Sequence, residues 1–391
     1  MKKFKYMDKI LLITTILLFL VGLLFIYSSS SVKSYMGGAA AYNYFKKQSL
    51  ILLVSVVIAI IILKIPLKSF YSLGTLGFFI SIILLFLLIP LGHEANQAKS
   101  WFKLYGFHLQ PSELFKPLLV VFLAFYYDKY KNKLNNLKKL YPPSILYPPI
   151  ILFSVGTFLI YKEPDLGTAV IVTMLFSIMF IASPISRQIK LKMILGGLGL
   201  VVIALVFKGA TGREFINERQ KERLDFRRPC DRLLDKGNQV CNGYIALNNG
   251  GLFGVGLGNS KQKYLYLPEP HTDFIYAIIV EEKGAIGGSL IIVGIFIVIW
   301  RILSIAFQTK STRNFLLCIG AASIIFINTA VNLSGLLGLL PETGVTLPFI
   351  SYGGSSALSL TIIITAVQLV AIENNKEKGQ WLLWKKWVLY Y

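Results

Sequence analysis

The sequence predicts an all-α, polytopic integral membrane protein with about ten transmembrane helices and a long extracytoplasmic loop between the seventh and eighth. Three observations carry this. First, 55% of the 391 residues are hydrophobic and 15% are charged, against roughly 45–50% apolar and about 25% charged in a soluble domain. Second, the mean hydropathy is +0.63, which also excludes a disordered or low-complexity chain. Third, the apolar residues fall into ten runs, and crossing a hydrocarbon core takes about 20 such residues. The runs are Ile10 to Ser29, Ser49 to Leu63, Ser72 to Pro90, Leu114 to Tyr127, Ile145 to Tyr161, Gly167 to Ser183, Met193 to Phe207, Phe274 to Leu303, Asn314 to Leu337 and Ala357 to Ile372.

Each run is expected to be helical, because a backbone in lipid satisfies its polar groups within its own segment. The first follows Lys2, Lys3, Lys5 and Lys9. It is too long for a signal peptide and lacks a small-residue cleavage site, so it is expected to remain as a helix. The ten runs form one membrane domain over residues 1–391. It includes the loop at 208–272 and a basic, aromatic cytoplasmic tail at 373–391 that suits the inner leaflet.

The formal charge of +21 comes from 40 Lys and Arg against 19 Asp and Glu. In a soluble protein this would suggest a nucleic-acid groove. Here the charges sit between apolar runs and set orientation. With the N-terminus in the cytoplasm, inside segments carry 21 Lys and Arg and the short outside loops 6. An even number of spans returns the C-terminus to the cytoplasm. The segment Lys208 to Thr272 holds 11 more basic residues, but loops beyond about 60 residues largely escape the positive-inside rule. Cys230, Cys241 and Cys318 are too few for a disulfide scaffold and fit no zinc spacing. Cys230 and Cys241 share the long loop, where a disulfide and two free thiols are both open.

Polar residues gather in four segments at outer helix ends: Asn96 to Lys116, Lys162 to Thr168, the long loop ending LPEPHTDF (Leu267 to Phe274), and Pro341 to Ser356. Four polar patches on one side of a bundle suggest a site at the outer membrane face, for a substrate partly in lipid and partly in water. In the long loop, Gly250, Gly251, Gly254, Gly256 and Gly258 precede Lys261 and Lys263. Such glycines suit either flexible loop packing or N–H groups that approach phosphate. Arg213, Arg219, Arg223, Arg227, Arg228 and Arg232 favour an anion.

Asp273 stands where the loop meets the eighth run, either as an N-cap or as a general base. Glu281 and Glu282 lie deeper, as functional carboxylates or as partners of Lys283, Lys116 or Arg301. Glu113 and Lys116 are spaced to pair on one helix, which starts at Gln110-Pro111-Ser112. Trp101 is an interfacial anchor or a sugar-stacking platform. Glu163 and Asp165 flank Pro164 as caps or as cation or sugar ligands, and His271 is expected to make an ordinary hydrogen bond.

QPSE (Gln110 to Glu113), EPDLGT (Glu163 to Thr168), GGLFGVGLGNSKQKYLYLPEPHTDFIYA (Gly250 to Ala277) and LPFISYGGSS (Leu347 to Ser356) occur in that order along the chain. With these motifs the sequence resembles the SEDS family (shape, elongation, division and sporulation: FtsW, RodA and SpoVE), and within it the division branch. The resemblance implies a glycosyltransferase that polymerises lipid II at the outer face of the bacterial cytoplasmic membrane, for cell division or cell shape. It implies a class B penicillin-binding protein as transpeptidase partner, and divisome or elongasome proteins. The family's essential aspartate falls on Asp273, its outer-loop tryptophan on Trp101, and its Glu/Lys pair on Glu113 and Lys116. Substrate contacts are further expected from Gln110, Ser112, Glu163, Asp165, Arg223, Lys261, Gln262, His271, Thr272 and Ser351. Two departures stand out: Lys283, where the family has Leu, and Glu342, where it has a smaller or neutral residue.

Asp273 would accept the proton of the attacking sugar hydroxyl, while basic loop residues stabilise the leaving diphosphate. These residues assign no cofactor; a divalent cation, Mg or Mn, is the candidate that would join the basic residues at the leaving diphosphate. Two rivals make different demands. A lipid II flippase needs ionisable groups spread through the membrane depth, for which Glu281 and Glu282 are the candidates. A non-enzymatic scaffold that recruits a transpeptidase needs no base.

Overall fold

The computed structural model describes residues 3–95, 98–104, 107–135, 144–197, 229–231, 237–264 and 266–389. Seven helices among them are long and apolar enough to cross a membrane. They are α1 (Lys9–Met36), α2 (Asn43–Lys64), α3 (Leu67–Leu91), α6 (Tyr147–Lys162, with a preceding turn from Ser144), α10 (Ile275–Gln308), α11 (Thr312–Leu336) and α12 (Gly354–Leu389). Between these lie α4 (Pro111–Lys129), the short α5 (Lys131–Asn135), α7 (Leu166–Ala182), α8 (187–197 as far as described) and α9 (Gly237–Gly250). The seventh apolar run, Met193 to Phe207, lies outside the described residues from 198 onward.

The helices start where the sequence supplies partners for their orphan N–H groups. Asp8 caps α1, its side chain accepting from the Leu11 N–H at 2.9 Å. Asp165 does the same for α7 through the Thr168 N–H at 3.0 Å. Pro111, with no N–H to satisfy, opens α4 at N1. Several helices outrun their apolar runs because polar ends protrude from lipid: α2 begins at Asn43, six residues before Ser49.

The core forms where α4, α7 and α12 pack around α11, whose face is buried over most of its length. Gly320 lets Val120 and Met179 press against the α11 backbone, the small-residue contact by which membrane helices approach closely. Ile10, Ile13, Leu17 and Leu20 of α1 and Leu290, Val293 and Phe296 of α10 are exposed and form the lipid-facing surface. Gly22 of α1 touches the backbone of Phe349 and Ile350 and seats the SYGGSS turn against the first helix.

Three features differ from the sequence expectations. The segment after α3 folds as a small antiparallel sheet, β1 (His93–Ala95), β2 (Ala98–Leu104) and β3 (Phe107–Leu109), in the order β1-β2-β3. The long loop contains α9, whose Val240 and Ala246 bury against Phe274, Ile278 and Leu336. Finally, α10 is two helices joined at a break, where Gly284 adopts φ 70°. Cys230 and Cys241 form a disulfide that ties a short turn to the α9 helix, and Cys318 is a buried free thiol.

Gly22→Val would place its Cβ about 2.5 Å from the Phe349 carbonyl oxygen. A loss of about 1–3 kcal/mol is expected, measured as a lower thermal midpoint in detergent. Gly196→Ala, with open space around it, should leave that midpoint unchanged.

Candidate active site

The break in α10 organises one wall of the site. At Gly284 the helix leaves carbonyl and N–H groups without partners, and the glycine-rich segment supplies them. The N–H groups of Val255 and Gly256 donate to the carbonyls of Glu281 (2.9 Å) and Glu282 (3.0 Å), and those of Ala285 and Ile286 donate to Gly251 (2.8 Å) and Leu252 (3.3 Å). Gly254 packs directly on the Glu282 backbone, where a Cβ would clash. The Val255 and Gly256 amides are therefore engaged by protein, and the segment is held firmly against α10 where flexible packing or phosphate contact was expected.

Glu281 and Glu282 pair with this same loop, not with Lys283, Lys116 or Arg301. Glu281 accepts from Asn249 Nδ2 (3.2 Å), from the Ser260 hydroxyl, and from the backbone N–H groups of Lys261 and Gln262 (3.3 Å each). Glu282 accepts from the Ser28 hydroxyl at 2.6 Å and pairs with Lys263 at 3.2 Å. Both are fully buried, and a buried carboxylate is tolerated when hydrogen bonds and a counter-charge surround it. Arg301 instead grips Asp8 at 2.7 Å, at the opposite end of the bundle. Lys261 is exposed, whereas Gln262 is buried.

From this anchored loop the chain returns to Asp273. Phe274, not Asp273, occupies the α10 cap position, so the Asp273 carboxylate is left for other work. It is half-buried, with the Thr272 hydroxyl 2.9 Å from its Oδ1. Asn332 of α11 clamps the backbone beneath, donating to the carbonyls of Asp273 (2.8 Å) and Val345 (2.7 Å). Lys33 of α1 binds Glu269 at 2.8 Å. Burial pushes the Asp273 carboxyl up to about 6; the Glu269 charge adds to this, while hydrogen bonds from Thr272, its own N–H and Glu342 work against it. His271 lies between the rings of Tyr44 and Tyr352 (centroids 4.3 and 5.5 Å away). Burial, with the nearby Lys33 charge, lowers it to about 3, so it is neutral at ordinary pH. Its carbonyl accepts from the Tyr352 N–H at 2.9 Å.

The other patches meet this one through the segment between α11 and α12. Gly167, at the start of α7, abuts Thr343. Asp165 accepts from Gln110 Nε2 (3.1 Å) and the Thr168 hydroxyl (2.8 Å), and burial raises its carboxyl above the usual range. Glu163 is 3% exposed; burial, then the Asp165 charge, raises it to about 8, so it carries its proton at neutral pH. Glu113 and Lys116 pair at 2.7 Å as the spacing predicts. Gln110 N–H donates to Ser355 Oγ at 2.8 Å, linking α4 to α12. Ser112 is buried, and Ser351 accepts from the Leu347 N–H at 2.9 Å inside its own turn. Trp101 lies part-exposed on β2, edge-on to His108 with centroids 6.3 Å apart.

The four segments thus form a chain of contacts: the segment after α11 meets the Asp273 loop through Tyr352 and Asn332, residues 162–168 meet that segment through the Gly167–Thr343 contact, and residues 96–116 join through Gln110 and through Ser100, which donates to the Glu163 carbonyl at 3.3 Å. Arg223 and the other loop arginines lie outside the described residues. Sequence reasoning missed Lys33, Glu269, Asn332, Tyr44 and Tyr352, which are scattered over the chain. Glu269 and Tyr352 had a local signal, the first four residues before Asp273 in the same motif and the second inside LPFISYGGSS. Among the described residues, no group of three His, Cys, Asp or Glu side chains is arranged to hold a metal ion, so no chemical step is routed through one.

Residues 8–376 match the family model for the cell cycle proteins FtsW, RodA and SpoVE. The chain is 36% identical over 306 residues to the "Probable peptidoglycan glycosyltransferase FtsW" of Bacillus subtilis, covering 77% of this chain and 75% of that one. It is 34% identical to stage V sporulation protein E of the same organism, over 92% and 94% of the two chains. Among solved structures, it resembles a chain of a peptidoglycan synthase complex that coordinates polymerization and crosslinking (TM-score 0.71, 23% identity, 94% and 98% covered). It also resembles the rod shape determining protein RodA of Thermus thermophilus (TM-score 0.66, 22% identity, 93% and 96% covered).

Glu113→Gln would leave the Lys116 ammonium, 1% exposed, without its counter-charge. Unpairing a buried ion costs about 3–5 kcal/mol, so a large drop in thermal stability is expected. Adding Lys116→Met should recover much of it, measured as a double-mutant cycle in detergent.

Proposed function

The chain belongs to the FtsW, RodA and SpoVE family of cell cycle proteins and is a peptidoglycan glycosyltransferase; we propose that it polymerises lipid II, with Asp273 as the general base. The observation that carries this reading is the state of Asp273. It is neither a helix cap nor a member of an ion pair among the described residues, and it sits half-buried over the Asn332 clamp that joins its loop to the segment after α11. Partial burial brings its pKa to about 6, close enough to neutral for a base that must both take and release a proton.

Lipid II carries its disaccharide-peptide on a polyprenyl diphosphate. The acceptor hydroxyl loses its proton to Asp273 as its oxygen bonds to the donor's anomeric carbon. The bond from that carbon to the diphosphate oxygen breaks, and the lipid diphosphate leaves with the electron pair. General-base help of this kind is worth about 10²–10⁴ in rate. The larger share comes from holding two lipid-anchored sugars in register, where effective molarities reach about 10⁵–10⁸ M. The carrier reading loses its main support, since Glu281 and Glu282 are both engaged by the loop.

The reaction end faces outward in this proposal, with both termini in the cytoplasm. The Cys230–Cys241 disulfide near that end suits an oxidising compartment. Lys64, Lys68, Arg313 and Lys376 crowd the other end, as cytoplasmic loops do. A class B penicillin-binding protein would take the new strand for crosslinking, with divisome or elongasome proteins around the pair.

Purified protein supplied with lipid II should form glycan polymer, and Asp273→Asn should lower the rate by about 10²–10⁴; unchanged polymerisation removes the base. In the active enzyme kcat/KM should fall as pH drops through about 6, because the protonated carboxyl cannot accept a proton. A membrane-impermeant maleimide on intact cells should label Lys261→Cys and spare Lys378→Cys. The opposite pattern would invert the topology.

A further inference from the structure

The Thr272 hydroxyl stands among three acceptors. Asp273 Oδ1 is 2.9 Å away, the Glu269 carbonyl 3.3 Å and Glu269 Oε2 3.4 Å. A hydroxyl has one proton to give, so two carboxylates of one loop compete for it. A lone Glu269 would draw on that proton with a full negative charge. It is not alone: Lys33 Nζ lies 2.8 Å from Glu269 Oε1 and 2.8 Å from the Pro268 carbonyl. One ammonium thus grips both the side chain and the backbone of the turn that leads to Thr272.

Lys33 comes from the far end of α1, and that end is fixed. Ser28, five residues earlier, donates to Glu282 at 2.6 Å, and Lys263 Nζ stands 3.4 Å from the same serine. The loop is therefore fastened to α1 at two places, one buried and one at the surface. Stability accounts for the buried one and hardly for the other. The Lys33 and Glu269 side chains are 30% and 32% exposed, and ion pairs so exposed add little to folding. What this pair does have is a position one hydroxyl away from Asp273.

We propose that Lys33 is a positioning residue for the base: by neutralising Glu269 it leaves the Thr272 hydroxyl to Asp273, and so holds that carboxylate oriented and ionised. The proposal rests on Asp273 being the base. Without Lys33 the Glu269 charge faces Asp273 uncompensated and takes a share of the hydroxyl, and both effects favour the protonated carboxyl. The other titratable groups around Asp273 are His271 on its own loop, which is neutral, Tyr44 of α2 and Tyr352 before α12, which pack on that histidine, and Glu342 after α11. Lys263 is taken up by Glu282. None of these changes in the variants below, so the comparison isolates the Lys33–Glu269 pair.

The test measures pH profiles of kcat/KM for lipid II polymerisation by the full chain. Lys33→Met should move the acid limb to higher pH by about one unit, the low end of what one nearby charge does, and leave KM at alkaline pH unchanged. Glu269→Gln should move the limb to lower pH. The double variant should bring it back between the two, near that of the parent, and Lys33→Arg should keep the parent's limb. A limb that stays in place or falls in Lys33→Met overturns the proposal, as does one that the second substitution fails to restore. A KM raised at every pH with the limb unmoved would mean that Lys33 holds the lipid diphosphate directly, and overturns it too. Infrared titration of the carboxyl C=O band that Asp273→Asn removes, in purified protein without substrate, separates the two readings. If Asp273→Asn still polymerises while this band titrates higher in Lys33→Met, the base assignment fails and the positioning of the carboxyl stands. If Asp273→Asn is inactive and the band titrates alike with and without Lys33, the base stands and the proposal fails.

Discussion

A backbone at membrane depth keeps its N–H and C=O groups paired, because lipid offers no substitutes. In α10 this constraint is violated at Gly284 and repaired by another part of the chain. The glycine-rich segment returns to the break and bonds to it on both sides. Everything after that segment inherits its position: the turn through Ser260 and Lys263, the run to Leu267, and finally Asp273. A straight α10 would give the loop nothing to dock on, and the carboxylate would hang from a tether.

Two buried carboxylates make the docking specific. Glu281 faces four donors from the loop, and Glu282 faces Ser28 of α1 and Lys263. Neither is in contact with the other carboxyls of the site. They hold the wall on which the chemistry is mounted, and the Glu282–Lys263 pair lets a basic residue of the loop enter the buried layer with its counter-charge. On the other side of the site, Asn332 and the Gly167–Thr343 contact set the separation between α7, α11 and the segment that precedes α12.

Much of this was readable in the chain. The apolar runs mark the spans because hydropathy is a property of composition alone, and the four polar motifs mark the site because they are the polar exceptions between those runs. What escaped depends on pairing. The break at Gly284 follows Glu281, Glu282 and Lys283, and that short charged stretch inside a long apolar run reads as buried side chains on a continuous helix as readily as it does a break. The partners of Glu281 and Glu282 sit in a loop whose path is set by that hidden break. The sheet at 93–109 has the alternation of strands but only three short ones, too little signal to separate from a loop. Lys33, Asn332 and Tyr352 come from three distant stretches, and only the packing of α1, α11 and α12 brings them to one place.

Contacts of α1 bear on how the molecule is made. Asp8, near its beginning, is satisfied by Arg301 and by the side chain of Gln368. Ser28, near its far end, donates to Glu282. α1 thus holds polar groups whose partners are synthesised some 250 to 360 residues later. Until then α1 sits in the bilayer with its ends incompletely matched, and closure of the bundle waits for α12. Truncating the C-terminal end therefore reaches back to the N-terminal one.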